Sequence, residues 1–85
     1  MIDIKNVKCV VEDDDFEVYE MEKGGKIVCV VFGFDGGESL GSVEIVEKKE
    51  GGEFGGFGFN GESLEDVFSS EEVEWLWDMG WCEEE

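Results

Sequence analysis

The sequence predicts an α+β fold: an antiparallel sheet of four to five strands with a C-terminal helix packed on one face. Glycine pairs at Gly24-Gly25, Gly36-Gly37 and Gly51-Gly52 divide runs rich in Val, Ile and Phe, the pattern of strands joined by short turns. After Asn60-Gly61 the apolar spacing changes to a helical one. With 85 residues there is room for one hydrophobic core, so residues 1–85 are read as a single domain.

Strands are expected near Ile2–Val11, Phe16–Glu22, Lys26–Phe34, Ser42–Lys48 and Glu53–Phe59. The run Ile27-Val28-Cys29-Val30-Val31-Phe32 is apolar at every position, which predicts a central strand covered above and below. In the fourth segment Val43 and Ile45 alternate with Glu44 and Glu47, as in a strand with one wet face. Phe54-Gly55-Gly56-Phe57-Gly58-Phe59 reads either as a glycine-weakened strand or as a loop laying its rings on the sheet. Ser63 and Asp66 have the spacing of a short capped turn, and Ser69 with Glu72 that of a capping box. A helix is therefore predicted over 70–79, with Gly80 as its stop. At 100° per residue Val73, Leu76 and Trp77 share the face that should lie on the sheet, while Glu71, Glu74 and Asp78 cluster opposite. Trp75 and Met79 fall between the two faces.

Charge is the dominant compositional feature. Seventeen Glu and seven Asp stand against six Lys and no Arg, a net charge of −18. Eleven aromatic residues argue against a disordered acidic tail. The negative charge is clustered: residues 12–22 carry −7 and residues 54–85 carry −10, with no Lys after position 49. Such density destabilises a folded domain by self-repulsion, and a core this small has little margin. A function, or a very salty cytoplasm, must be maintaining it.

The same balance excludes direct nucleic-acid binding, which needs clustered cations on phosphates, and binding to an anionic membrane. No stretch approaches the length of a membrane span, and residues 1–11 are interrupted by Asp3, Lys5 and Lys8, unlike a signal peptide. A cytoplasmic protein with free thiols is expected. Cys9 and Cys29, in Val-rich runs, read as small buried hydrophobes. Cys82, next to Trp81 and followed by three Glu, reads as exposed but a poor nucleophile, since neighbouring carboxylates disfavour its thiolate. The chain has no His, and its cysteines lack zinc-site spacing. Asp13-Asp14-Asp15 with Glu17 lacks the alternation and central Gly of a calcium loop, so no metal or cofactor is expected. No nucleophile–base pair or enclosed carboxylate pair suggests an enzyme.

In composition and size the chain resembles phage-encoded acidic mimics of nucleic acid, such as anti-CRISPR and anti-restriction proteins. The resemblance rests on the charge blocks and small α+β pattern of the whole chain. It implies an inhibitor whose acidic surface blocks the basic nucleic-acid-binding surface of a defence nuclease or similar protein. Duplex DNA carries one charge per roughly 1.7 Å of axis, so 18 charges match about 31 Å of duplex, close to the roughly 30 Å diameter of a domain this size. Two other readings fit the charge: an immunity protein for a nuclease toxin, and a halophile-adapted small binding domain that would unfold at low salt. On the leading reading the partner contacts are Asp13, Asp14, Asp15 and Glu17 with Glu71, Glu74 and Asp78. Trp75 would be the aromatic anchor stacking on a partner Arg, with Tyr19 and Trp81 as substitutes.

Overall fold

The computed structural model describes residues 2–36 and 39–83, of which 81–83 by main chain alone. Five strands form one antiparallel sheet in chain order: β1 (Ile4–Glu12), β2 (Phe16–Lys23), β3 (Lys26–Asp35), β4 (Ser39–Lys48) and β5 (Phe57–Phe59). Two helices follow, α1 (Leu64–Val67) and α2 (Ser70–Glu83). The predicted fold class holds, and β3 is the central strand.

Register is set most firmly at the β2–β3 hairpin, where eight consecutive pairs run from Lys23↔Lys26 to Phe16↔Gly33. Its turn is Gly24-Gly25, with φ of 60° and 82°. Two consecutive left-handed residues make the turn whose twist matches the flanking strands, and glycine reaches that region without strain. The outer strand β1 is less regular. Its pairing with β2 shifts twice, between Lys5 and Lys8 and between Cys9 and Val11, and bulges of this kind blunt an exposed sheet edge.

One face of the sheet carries Tyr19, Met21, Val30, Phe32, Val43 and Ile45, packed against Leu64, Phe68 and Leu76 of the helical layer. The opposite face carries Val18, Val31 and Val46, covered by Phe57 with Phe54 and Val11. Phe54 meets Phe16 and Phe59 edge-to-face, each at 5.2 Å between ring centroids. The glycine-rich segment thus does both things its sequence allowed. Residues 57–59 pair with β4, and the turns before them lay Phe54 on the sheet, with Gly55 reaching Val11 of β1.

Three expectations need correction. Helix α2 does not stop at Gly80 but continues through it to Glu83. Gly80 is buried there, and a Cβ on it would lie 2.5 Å from Leu40 Cδ2 and 3.1 Å from Phe32 Cδ1. Its glycine serves close approach of helix and sheet. The buried stripe of α2 is centred on Leu76, with Glu72 and Gly80 one turn to either side. Trp75 and Trp77 therefore flank it, each about 100° from Leu76, and both are half-buried against the core. The third correction concerns β3, which is covered on both faces at Val30, Val31 and Phe32 but leaves Ile27 61% exposed. Pairing of β3 with β4 begins only at Cys29↔Val46, so Ile27 lies beyond the two covering layers.

Candidate partner-binding surface

The predicted contact residues are on the surface but do not form one patch. Asp13, Asp14 and Asp15 make the β1–β2 turn at one end of the sheet, all exposed. The turn is held by its main chain, with Asp13 N–H donating to Phe16 O at 2.9 Å and Phe34 N–H to Asp15 O at 2.8 Å. Asp15 N–H also donates to Asp13 Oδ1 at 3.2 Å. Glu12 and Glu17 face each other across the first pair of the hairpin, and Asp35 ends β3 beside them. This end holds six carboxylates and no lysine.

Glu71, Glu74 and Asp78 are exposed on the outer side of α2. Their helix starts at the other end of the sheet, where Glu72 meets Lys23, and climbs to Leu40 and Phe32 at Gly80. From Lys23 to Glu17 β2 rises about 20 Å at roughly 3.3 Å per residue, so Glu71 belongs to a different region from the β1–β2 turn. Asp78, about 10 Å further along the helix at 1.5 Å per residue, is the helical acid nearest that turn. Trp75 packs on the core with its flank toward solvent. A two-residue offset from the buried stripe, and not the opposite face, sets its position. Tyr19 is buried beside Phe32, 5.3 Å between ring centroids, with its hydroxyl donating to Glu17 Oε1 at 3.2 Å. The side chains of Trp81 and Cys82 lie outside the described residues.

The opposite end gathers the cations. Lys5, Lys23, Lys26, Lys48 and Lys49 lie at or next to strand ends there, and Lys8 pairs mid-strand with Glu20 at 3.3 Å. Here sits the buried ion pair that sequence reasoning missed. Glu72, 1% exposed, takes Lys23 Nζ at 3.0 Å, Ser69 N–H at 2.9 Å and Asp3 N–H at 2.8 Å. Glu72 N–H donates to Ser69 Oγ at 3.3 Å, so the capping box forms as predicted. Ser63, by contrast, caps α1 without a side-chain hydrogen bond. Burial pushes the Glu72 carboxyl up, but the two N–H donors and the Lys23 ammonium outweigh it and hold it at about 2, against an ordinary 4.5. The signal was present in the capping box; nothing local linked it to Lys23 or Asp3.

Neither described cysteine is a buried hydrophobe. Cys9 is exposed and Cys29 half-buried, because β1 is an edge strand and the helical layer does not extend over it. Partial burial, then Glu17 and Glu12, pushes the Cys9 thiol up; burial, then Glu20, does the same at Cys29. Both are thereby weakened as nucleophiles. Among the described residues no group of three or more Cys, Asp or Glu is placed to hold a metal ion, and no helix is long and apolar enough to cross a membrane. No protein-family model, curated protein or solved structure matches the chain.

Proposed function

We propose that the chain is an acidic inhibitor that imitates nucleic acid and occupies the basic nucleic-acid-binding surface of a nuclease or similar protein. The observation that carries the reading is the segregation of charge along the sheet. Glu12, Asp13, Asp14, Asp15, Glu17 and Asp35 share one end without a lysine, while five of the six lysines sit at the other. A lysine-free acidic end presents an undiluted field to a basic cleft, which speeds encounter and fixes orientation. The longest axis, 32 Å, is comparable to the roughly 31 Å of duplex with the same charge. The turn's main-chain hydrogen bonds hold its carboxylates in place before binding, which lowers the ordering cost of association.

The test is capture from a host lysate on the immobilised chain, with elution by a duplex oligonucleotide and by salt. The reading expects a nucleic-acid-binding protein that the duplex displaces, and loss of capture by the Asp13→Asn/Asp14→Asn/Asp15→Asn variant. A retained protein that neither duplex nor salt releases contradicts it.

A further inference from the structure

A cleft of about 600 Å³ opens at the lysine-rich end, where β3 and β4 part. β3 stays paired with β2 down to Lys23↔Lys26, and β4 with β5 down to Lys48↔Phe57. The ladder between β3 and β4 nevertheless begins only at Cys29↔Val46, so Ile27 and Lys48 stand on opposite walls without pairing. In a hairpin closed by a two-residue turn the residues flanking the turn exchange hydrogen bonds, and alternate residues then point their N–H and C=O to opposite sides. Lys23 and Lys26 are that flanking pair. The alternation aims the main-chain groups of Ile27 away from β2 and into the cleft, and those of Lys48 into it from the other wall.

The cleft has an apolar floor in Val28, Ile45, Val46 and Val67, and Ile27 beside it is 61% exposed. Of its charged lining, Lys23 is held by Glu72 at 3.0 Å, Glu47 by Lys49 at 3.6 Å, and Glu62 accepts from the Asn60 amide at 3.3 Å. Lys26 and Lys48 enter no ion pair among the described residues. Two uncommitted ammoniums therefore face one such carboxylate, Asp66, in a chain whose net charge is strongly negative.

We propose that this cleft binds an extended peptide segment carrying a carboxylate side chain. The segment lies between β3 and β4, continues the ladder at Ile27 and Lys48, covers Ile27, and sets its carboxylate against Lys26 and Lys48. Open main-chain groups on both walls favour a peptide over a small anion, since only a strand can pair with both. The two free ammoniums select an acidic one. Repulsion from the β1–β2 turn does not oppose this, because the eight residues of β3 from Ile27 to Asp35 span about 26 Å at roughly 3.3 Å each, while charges are screened over about 8–10 Å at ordinary salt. The proposal is independent of the reading of the acidic end.

The experiment is amide NMR of the whole chain titrated with acetyl-Val-Glu-Val-Glu-Val-amide. Saturable shifts are expected at Ile27, Val28 and Lys48 and not at Asp13–Asp15. Replacing the peptide's Glu by Gln, or making Lys26→Gln/Lys48→Gln in the protein, should weaken binding roughly tenfold, as for paired charges at an interface. Both lysines are exposed, so the folded spectrum should persist in that variant. A peptide N-methylated at alternate residues should not bind, since it cannot extend the ladder. Absence of saturable shifts, equal binding of the Gln or N-methylated peptide, or cross-strand contacts showing Ile27 already paired with Lys48 in the free protein would each overturn the proposal. Shifts that grow with protein concentration alone would replace the peptide by a second copy of the chain and likewise overturn it.

Discussion

The two ends of the sheet use the same residue type in opposite ways. At the β1–β2 turn, Asp13, Asp14 and Asp15 are exposed carboxylates with main-chain support and no cation. At the lysine end, Glu72 is a buried carboxylate surrounded by two N–H donors and an ammonium. One end accumulates repulsion that folding must tolerate, and the other converts a carboxylate into a clasp joining residue 3, β2 and α2. Position relative to the lysines therefore decides whether an acid in this chain serves the fold or the surface. Replacement at the two ends should separate folding from binding.

The largest effect is expected at the clasp. Glu72→Ala strands Lys23 and leaves the N–H groups of Ser69 and Asp3 without their acceptor, which should cost about 3–5 kcal/mol in a denaturant titration. Leu76→Ala, removing the fully buried centre of the helical stripe, should cost about 2–5 kcal/mol. Trp77, half-buried, should lose less on truncation than the roughly 3–5 kcal/mol of a fully buried aromatic. A Trp77→Ala loss as large as that would move the stripe's centre toward Trp77 and break the assignment.

The pH dependence sharpens the comparison. Glu72 is held below its unfolded value, so its contribution is present above about 4.5 and is lost as pH falls toward about 2. That displacement corresponds to roughly 3 kcal/mol. The stability difference between the parent chain and Glu72→Gln, measured by denaturant titration at several pH values, should shrink across that window and stay constant above it. A difference that persists unchanged to pH about 2 removes the ionised carboxylate from the account.

Gly80→Ala comes next. Its Cβ would meet Leu40 Cδ2 at 2.5 Å, so the thermal transition should fall by the equivalent of about 1–3 kcal/mol for overpacking, where an exposed helical glycine would gain from alanine. The smallest effect on folding is expected at the other end. Single neutralisations of Asp13, Asp14 or Asp15 should change stability by about 0.5 kcal/mol or less.

Much of this was legible in the sequence, for reasons that can be named. Glycine pairs marked Gly24-Gly25 because a two-residue turn needs left-handed residues, and β-branched runs marked β3 because a strand covered on both faces has no polar alternation. The start of β4 at Ser39 was hidden by Gly41 and Ser42, which pattern as loop residues. The face of α2 was misjudged by a partial rotation because two members of its buried stripe, Glu72 and Gly80, are not apolar. One is buried by partners distant in sequence, and the other by the need for space. The acidic residues were recognisable as a block, but whether Asp13–Asp15 and Glu71–Asp78 share a surface depends on which way α2 crosses the sheet. That direction is fixed by Glu72 meeting Lys23 at one end and Gly80 meeting Leu40 at the other. The parting of β3 and β4 left no local trace, since Ile27 and Lys48 look like ordinary strand residues.

The most direct test of the central claim is the association rate of the captured partner with the parent chain and with Asp13→Asn/Asp14→Asn/Asp15→Asn, measured across ionic strength. If the lysine-free end makes the contact, the parent rate falls as salt rises. The variant should associate about tenfold more slowly at low salt, and the two should converge as the charges are screened. Equal rates at low salt, with both proteins folded, would contradict the account and place the contact elsewhere on the molecule.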